Sequence, residues 1–256
     1  MLSKNEIKEI RALGQKKFRD EQGLFVVEGE KLVEEALRSE FEVVRHFRVE
    51  EIGEETMARI SQLTHPSPAL AVLRQPKPQL LQILPGELVL ALDGIRDPGN
   101  LGTILRIADW FGIRQVLASE DTVELYNPKV VQATMGAIFR VRVHYCDLVT
   151  MLRCPVRPGM TEEVRPGMTE EAVPVYGTFL EGDSIYETPL TKGGILVMGS
   201  EANGISPEVA ATITQKLHIP PYPPDAHTSE SLNVAVAAAI ACAEFRRRLS
   251  SNRLFM

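Results

Sequence analysis

Three short apolar runs constrain this chain more than anything else in it: LVLAL at 88–92, QVLA at 115–118 and ILVM at 195–198. Each is apolar at consecutive positions, the pattern of strands buried on both faces of a parallel sheet. Parallel neighbours need long crossovers, and helical segments lie between these runs. Residues 88–256 therefore read as one α/β domain. Ahead of it, residues 1–75 read as a smaller α/β unit. Ser3 with Glu6 is a capping-box pair, and Ile7, Ile10 and Leu13 recur at helical spacing, which predicts a first helix running to about Phe18. Strands are expected at 24–27, 43–47 and 70–73, with helices at 31–37 and 56–63. Residues 76–87, carrying Pro76, Pro78 and Pro85, read as a linker. The segment 231–249 puts Leu232, Val236 and Ile240 on one stripe among alanines, which suits a helix packed closely on another surface.

One stretch stands outside this pattern. RPGMTEEV at 157–164 is followed at once by RPGMTEEA at 165–172. A repeat this short builds no solenoid, so the duplication is expected to be an exposed, flexible insertion without a catalytic role.

The longest nearly apolar run, Val234 to Ala243, is too short to span a bilayer, and the first ten residues have no apolar signal core. A cytoplasmic protein without a membrane anchor is expected. Cys146, Cys154 and Cys242 are widely spaced and contain no Cys-x-x-Cys pair, and the five histidines show no ligand spacing. Reduced thiols and no metal follow. The net charge of -6 gives no overall basic surplus, but residues 1–19 hold six basic side chains against Glu6 and Glu9. The chain also ends with Arg246, Arg247, Arg248 and Arg253. Each patch is either a phosphate-facing surface or a solvated helix face. Lys16, Lys17 and Arg19 are the candidate phosphate contacts.

Three turns in the second domain can carry chemistry. In LDGIRDPGNLGTILRIADWFG, from Leu92 to Gly112, Asp97 and Pro98 can start a helix. Gly102 precedes Arg106 by one turn, so the Arg106 side chain can lie over the bare glycine toward Asn100. The alternative is a surface ion pair between Arg106 and Asp109. Trp110 and Phe111 at the end of this helix read as core, with base stacking as the alternative. In LVMGSEANGIS, from Leu196 to Ser206, Gly199, Glu201, Asn203 and Gly204 follow a buried strand, as at a ligand site or a plain turn. The spacing fits neither a dinucleotide fingerprint nor a P-loop. In the third, a strand ending at Ile219 enters a proline-rich loop, and Glu230, Ser231 and Asn233 open the last helix. Ser231 there is either a site residue or the helix N-cap.

Taken together, NLGTILRIA, MGSEANGIS and ESLNVAVAAAI resemble, in this order, the three motifs of the SpoU, or TrmH-like, RNA ribose methyltransferases of the SPOUT superfamily. The likeness runs from about Leu88 to Leu249, and LFVVEGEKLVEEAL at 24–37 is similar to that family's N-terminal substrate-binding domain. The resemblance implies a knotted, trefoil parallel-sheet domain, S-adenosylmethionine as methyl donor, RNA as partner and a homodimer. It also implies cofactor contacts at Gly199, Ile219 and Leu232, and catalytic or site-forming roles for Asn100, Arg106, Glu201, Ser231 and Asn233. A guanidinium is a poor base at neutral pH, so Arg106 is expected to clamp a phosphate beside the reacting hydroxyl, oriented by Glu201. The substrate implied is ribosomal RNA. Transfer RNA, a catalytically inactive RNA-binding protein and a small-molecule methyltransferase are the alternatives. PPYPPDAHTSE at 220–230 is longer than the family's usual loop and alters the expected cofactor pocket.

Overall fold

The structure is a computed structural model that describes residues 2–77, 83, 84, 86–153, 173–223 and 231–251, without the side chains of 249–251. By proximity the chain forms two compact units, the first drawn from 1–78, 101–106 and 124–140, the second from 79–100, 107–123 and 141–256. The first unit is thus discontinuous in sequence, whereas the linear division ends the small domain at residue 75.

The chain begins with α1 (Lys4–Ala12), α2 (Lys16–Gln22), β1 (Leu24–Glu28), α3 (Glu30–Arg38), β2 (Val43–Arg48), α4 (Val49–Ile52), α5 (Glu54–Ile60) and β3 (Ala69–Arg74). It continues through β4 (Leu88–Asp93), α6 (Pro98–Trp110), β5 (Gln115–Ala118), α7 (Pro128–Thr134), β6 (Arg142–Tyr145) and α8 (Leu148–Arg153). The remaining elements are β7 (Val175–Phe179), β8 (Asp183–Ser184), β9 (Gly194–Gly199), α9 (Pro207–Ala210), β10 (Gln215–His218) and α10 (Val234–Ser251).

In the first unit β1, β3 and β2 form an antiparallel sheet in that order. The apolar stripe of α1 (Ile7, Ile10) and Leu13 packs with Val26, Phe47, Met57, Ile60, Leu70 and Val72 into one core. The capping box forms: Ser3 Oγ accepts from the Glu6 amide at 3.2 Å and the Glu6 carboxylate accepts from the Ser3 amide at 2.8 Å. The predicted single helix to Phe18 is, however, two helices that break at Leu13–Gln15. Side chains add further donors to the carbonyls at the break. Gln62 Nε2 donates to the Ile10 and Arg11 carbonyls at 3.3 and 3.1 Å, and Arg19 donates to the Leu13 carbonyl at 2.8 Å.

Arg19 is 2% exposed and also donates through Nε to the Glu124 carboxylate at 3.1 Å. Its guanidinium ties α2 to the chain ahead of α7, so the expectation that Arg19 meets phosphate is corrected. Lys16 and Lys17 are exposed, each beside an acid one turn on, Asp20 at 2.6 Å and Glu21 at 3.9 Å.

Gly102 also has a different use from the expected one. A Cβ built there would lie 2.4 Å from the Ala133 Cβ and 2.9 Å from its carbonyl carbon. The glycine lets the middle of α6 close on α7, so no open groove over it is left for Arg106. Gly102→Val should lower the melting temperature by about 4–8 °C, since overpacking costs about 2 kcal/mol and a chain of this size loses a few degrees per kcal/mol. Adding Ala133→Gly should recover only part of that loss, because the backbone of residue 133 stays within 2.9 Å of the new Cβ. A Gly102→Val melt identical to that of the parent would refute the close approach.

In the second unit seven strands run in the order β6-β5-β4-β9-β7-β10-β8, every described pairing parallel. The apolar runs read from the sequence are the central strands: β4 and β9 are buried along nearly their whole length. Val89, Ala91, Leu117, Val175, Ile195 and Val197 build the core on one face, joined by Leu148, Leu152, Ile205 and Val209 from the crossovers. Ile83 of the expected linker belongs to this core. Trp110 does not pack in the core as expected. It is 85% exposed at the end of α6, and Arg246 of α10 donates to the Phe111 carbonyl beside it at 2.8 Å. Cys146 and Cys242 are free thiols, and burial pushes Cys242 up to about 12. Cys154, Arg253, the duplication at 157–172 and residues 224–230 of the extended loop lie outside the described residues.

Candidate active site

Going outward from the middle of the large sheet, β4 is followed on one side by β5 and β6, and on the other by β9 and β7. Chain order reverses between β4 and β9, and in open α/β sheets ligands settle beyond the carboxyl ends of the strands at such a point. Asp93 and Gly199 are register partners there, each the last residue of its strand. The Asp93 carboxylate accepts from the Ser206 amide at 2.7 Å and so holds the turn that follows β9. That turn is tight: Ser200 and Gly204 exchange backbone hydrogen bonds of 3.0 and 2.9 Å. Gly199 makes it possible, since a Cβ there would lie 2.2 Å from the Gly204 backbone.

The three motif turns meet at the starts of α6 and α10. Asp97 caps α6 by accepting from the Asn100 amide at 2.8 Å. The Asn100 side chain then bridges two partners: Nδ2 donates to the Glu201 carboxylate, and Oδ1 accepts from Asn233 Nδ2 at 3.0 Å. Asn233 Oδ1 accepts from the Ala235 and Val236 amides at 2.9 and 3.3 Å, which makes Asn233 the N-cap of α10. Chemistry fixes the orientation of both amides. A carboxylate only accepts, so Asn100 must present its NH₂ to Glu201 and its oxygen to Asn233. Asn233 must therefore donate to Asn100, leaving its own oxygen for the helix amides. The result is a one-directional chain of hydrogen bonds from the α10 amides through Asn233 and Asn100 to Glu201.

Among the described residues, none of the other expected site residues hydrogen-bonds to this chain through its side chain. Ser231 is exposed two residues before Asn233, outside the helix, so it is not the N-cap. Leu232 is 47% exposed, and Ile219 is half-buried just after β10. Arg106 is on the exposed side of α6 and, among the described residues, takes part in no ion pair; the alternative Arg106–Asp109 pair does not form. The carboxylate expected to orient Arg106 is instead bonded to Asn100.

A cavity of about 180 Å³ lies at the switch point between Asp93, Gly94, Arg96, Asp121, Ser200 and Asn203. Sequence reasoning did not single out Asp93, Arg96 or Asp121. A positive φ of 69° at Gly94, directly after a buried strand, is the feature that turns the chain here, and glycine at that position was the available signal. The Asp121 carboxyl is held below its usual range, first by the Ser119 hydroxyl at 2.7 Å and then by the Arg96 guanidinium at 2.9 Å. The cavity is therefore rimmed by an exposed Arg96–Asp121 ion pair. Among the described residues no cluster of three His, Cys, Asp or Glu could hold a metal ion, and no helix is long and apolar enough to cross a membrane.

A parallel sheet with hydrogen-bonded turns gathered at its switch point is the arrangement of α/β proteins that bind ligands beyond the strand ends. Comparison with known proteins narrows that class. A sequence profile described as the SpoU rRNA Methylase family matches residues 87–243, and one described as an MRM3-like substrate binding domain matches residues 4–64. A 23S rRNA (guanosine(2553)-2′-O)-methyltransferase of Bacillus subtilis is 30% identical, over 93% of this chain and 95% of the relative. The crystal structure of an AdoMet-bound rRNA methyltransferase from Sinorhizobium meliloti is 30% identical with a TM-score of 0.80, covering 97% of each chain. A 23S rRNA (guanosine-2′-O-)-methyltransferase of Neisseria meningitidis is 32% identical over 63% of this chain and 58% of the relative. The chain belongs to the SpoU rRNA methylase family.

Proposed function

We propose that this protein transfers the methyl group of S-adenosylmethionine to a ribose 2′-hydroxyl of ribosomal RNA. The observation that carries the reading is the hydrogen-bond chain Asn233–Asn100–Glu201, which ties together three turns that are far apart in sequence. The relatives named as rRNA 2′-O-methyltransferases and the AdoMet-bound neighbour support the substrate and the donor.

When bound, S-adenosylmethionine supplies a methyl group already activated on a sulfonium. The residues fit it: Leu232 offers an exposed apolar surface, Ile219 is a half-buried apolar residue directly after β10, and Gly199 ends a central strand at the switch point. These three hold the donor by backbone and apolar contact. The protein's remaining tasks are to align the hydroxyl and to let its proton leave. Held there, the donor would supply its methyl carbon to the ribose oxygen and leave as the thioether, while the hydroxyl proton would pass to the neighbouring phosphate and on to solvent. Arg106 clamps that phosphate and lowers the barrier electrostatically. Ser231 positions the ribose. Asn100 and Asn233 hold the turns in register, with Glu201 as the acceptor that anchors them.

The chain works as a homodimer and its second domain is threaded as the trefoil knot of its family. Exposed apolar side chains on α10 and at the end of α6, Val236 at 49% and Trp110 at 85%, support a partner surface there. Residues 1–75 act as the substrate-binding domain, 76–87 as the connection and 88–256 as the catalytic domain, in the cytoplasm. Lys16 and Lys17 contact phosphate, weakened by their pairs with Asp20 and Glu21.

The test is incubation with methyl-labelled donor and separately purified ribosomal and transfer RNA, followed by mapping of the modified ribose. Label at a single ribosomal ribose is expected. Label confined to transfer RNA, to a base or to neither RNA would refute the reading.

A further inference from the structure

A groove of about 620 Å³ lies on the first unit between α1 and α5. Lys4, Lys8 and Arg11 line it from α1 and Arg59 from α5, over an apolar floor that includes Ile7 and Phe18. No carboxylate lines it. At 100° per residue, Lys4, Lys8 and Arg11 share an arc of about 60° on α1, with Glu6 and Glu9 on the opposite side. Glu6 is also occupied elsewhere, accepting from Arg45 at 2.7 Å. Among the described residues none of the four groove cations takes part in an ion pair. Lys16, Lys17, Arg38, Arg45 and Arg74 of the same unit do, whereas Lys31, Arg48 and Lys129 do not, so it is the gathering of four such cations in one groove that sets these apart. Arg11 is attracted by the Glu28 carboxylate, and Lys4, Lys8 and Arg59 face the groove without an acid beside them, so the groove is a local positive field on a chain of net charge -6, suited to an anionic partner.

We propose that this groove is the track for a strand of the substrate RNA, with Lys4, Lys8, Arg11 and Arg59 on successive phosphates. The cations on α1 are spaced by about 6 Å and about 4.5 Å along the helix axis, a row suited to a linear polyanion and not to one compact ion. The apolar floor lies under the sugar and base side of that strand. The inference rests on the RNA methylation reading and gives its substrate a docking surface that the sequence candidates Lys16, Lys17 and Arg19 did not identify.

The experiment compares the parent, the quadruple variant Lys4→Gln, Lys8→Gln, Arg11→Gln, Arg59→Gln, and the control Arg38→Gln, Arg74→Gln, which removes two paired cations outside the groove. Binding of transcribed 23S rRNA is followed by filter retention across a KCl series, alongside donor affinity and melting temperature. The quadruple variant should bind RNA at least about tenfold more weakly, with the slope of log affinity against log salt shallower by about 3. Its donor affinity and melting temperature should match the parent's. In methyl transfer its KM for RNA should rise while kcat at saturating RNA holds. An unchanged slope, or a loss per charge equal to the control's, would overturn the groove while leaving the methylation reading intact. Displacement by polyglutamate as effective as by RNA would overturn it in favour of an acidic protein partner. Absence of RNA binding by the parent would overturn both.

Discussion

Arg106→Ala should reduce kcat for methyl transfer by about 10²–10³-fold, the loss typical of removing one preorganised group that stabilises developing charge. The dissociation constant for S-adenosylmethionine should stay within about twofold of the parent's, because the role assigned to Arg106 is toward the RNA phosphate. Stability should also hold. Arg106 is exposed and in no ion pair among the described residues, so truncation leaves no buried partner behind. Arg106→Lys should recover part of the rate, since an ammonium keeps the charge but loses the planar two-point clamp on phosphate. Single-turnover methylation with calorimetric titration of the donor separates these effects. Full activity of Arg106→Ala would remove Arg106 from the mechanism, and a large fall in donor affinity would move it to the cofactor.

Local signals read well from this sequence, and signals supplied by distant side chains did not. The strands at Leu88–Asp93 and Gly194–Gly199 are visible as uninterrupted apolar runs because both of their faces are covered. The Ser3–Glu6 box is a three-residue pattern that needs nothing from elsewhere. The break at Leu13–Gln15 is different, because its carbonyls take side-chain donors from Arg19 and from Gln62, a residue about fifty positions further on. The same contact buries Arg19, which sequence charge alone marks as a surface cation. Gly102 looks like room for Arg106 until Ala133 is seen against it. In the site, Asn100, Glu201 and Asn233 could be named from the motifs. That Asn233 and not Ser231 caps α10, and that Glu201 serves Asn100, depends on how three remote turns fold together.

Asn100→Asp should be the most damaging single-atom change in the site, and its effect should depend on pH. The substituted side chain still accepts from Asn233 but presents a carboxylate to Glu201 where an NH₂ donated before. Two carboxylates at hydrogen-bond distance resist ionising together, so one of the pair is pushed above the usual carboxylate range. For an acid whose folded pKa is raised, stability is fully present below the unfolded value and is lost as pH rises through the folded one. The melting temperature of Asn100→Asp should therefore match the parent's below about pH 3.5 and fall progressively below it toward pH 7. Solvent screening at this exposed pair keeps the gap to a few degrees. Activity should suffer more, with kcat at pH 7 down by about 100-fold, because repulsion between the α6 and β9 turns misplaces the groups they carry. Adding Glu201→Gln restores a donor opposite an acceptor with the polarity reversed, and it should return the melting temperature and much of the rate. Asn100→Leu, which removes the bridge without adding charge, should be impaired to the same degree at every pH. A pH-independent Asn100→Asp defect, or failure of Glu201→Gln to rescue it, would mean that the Asn233–Asn100–Glu201 chain does not hold the site together.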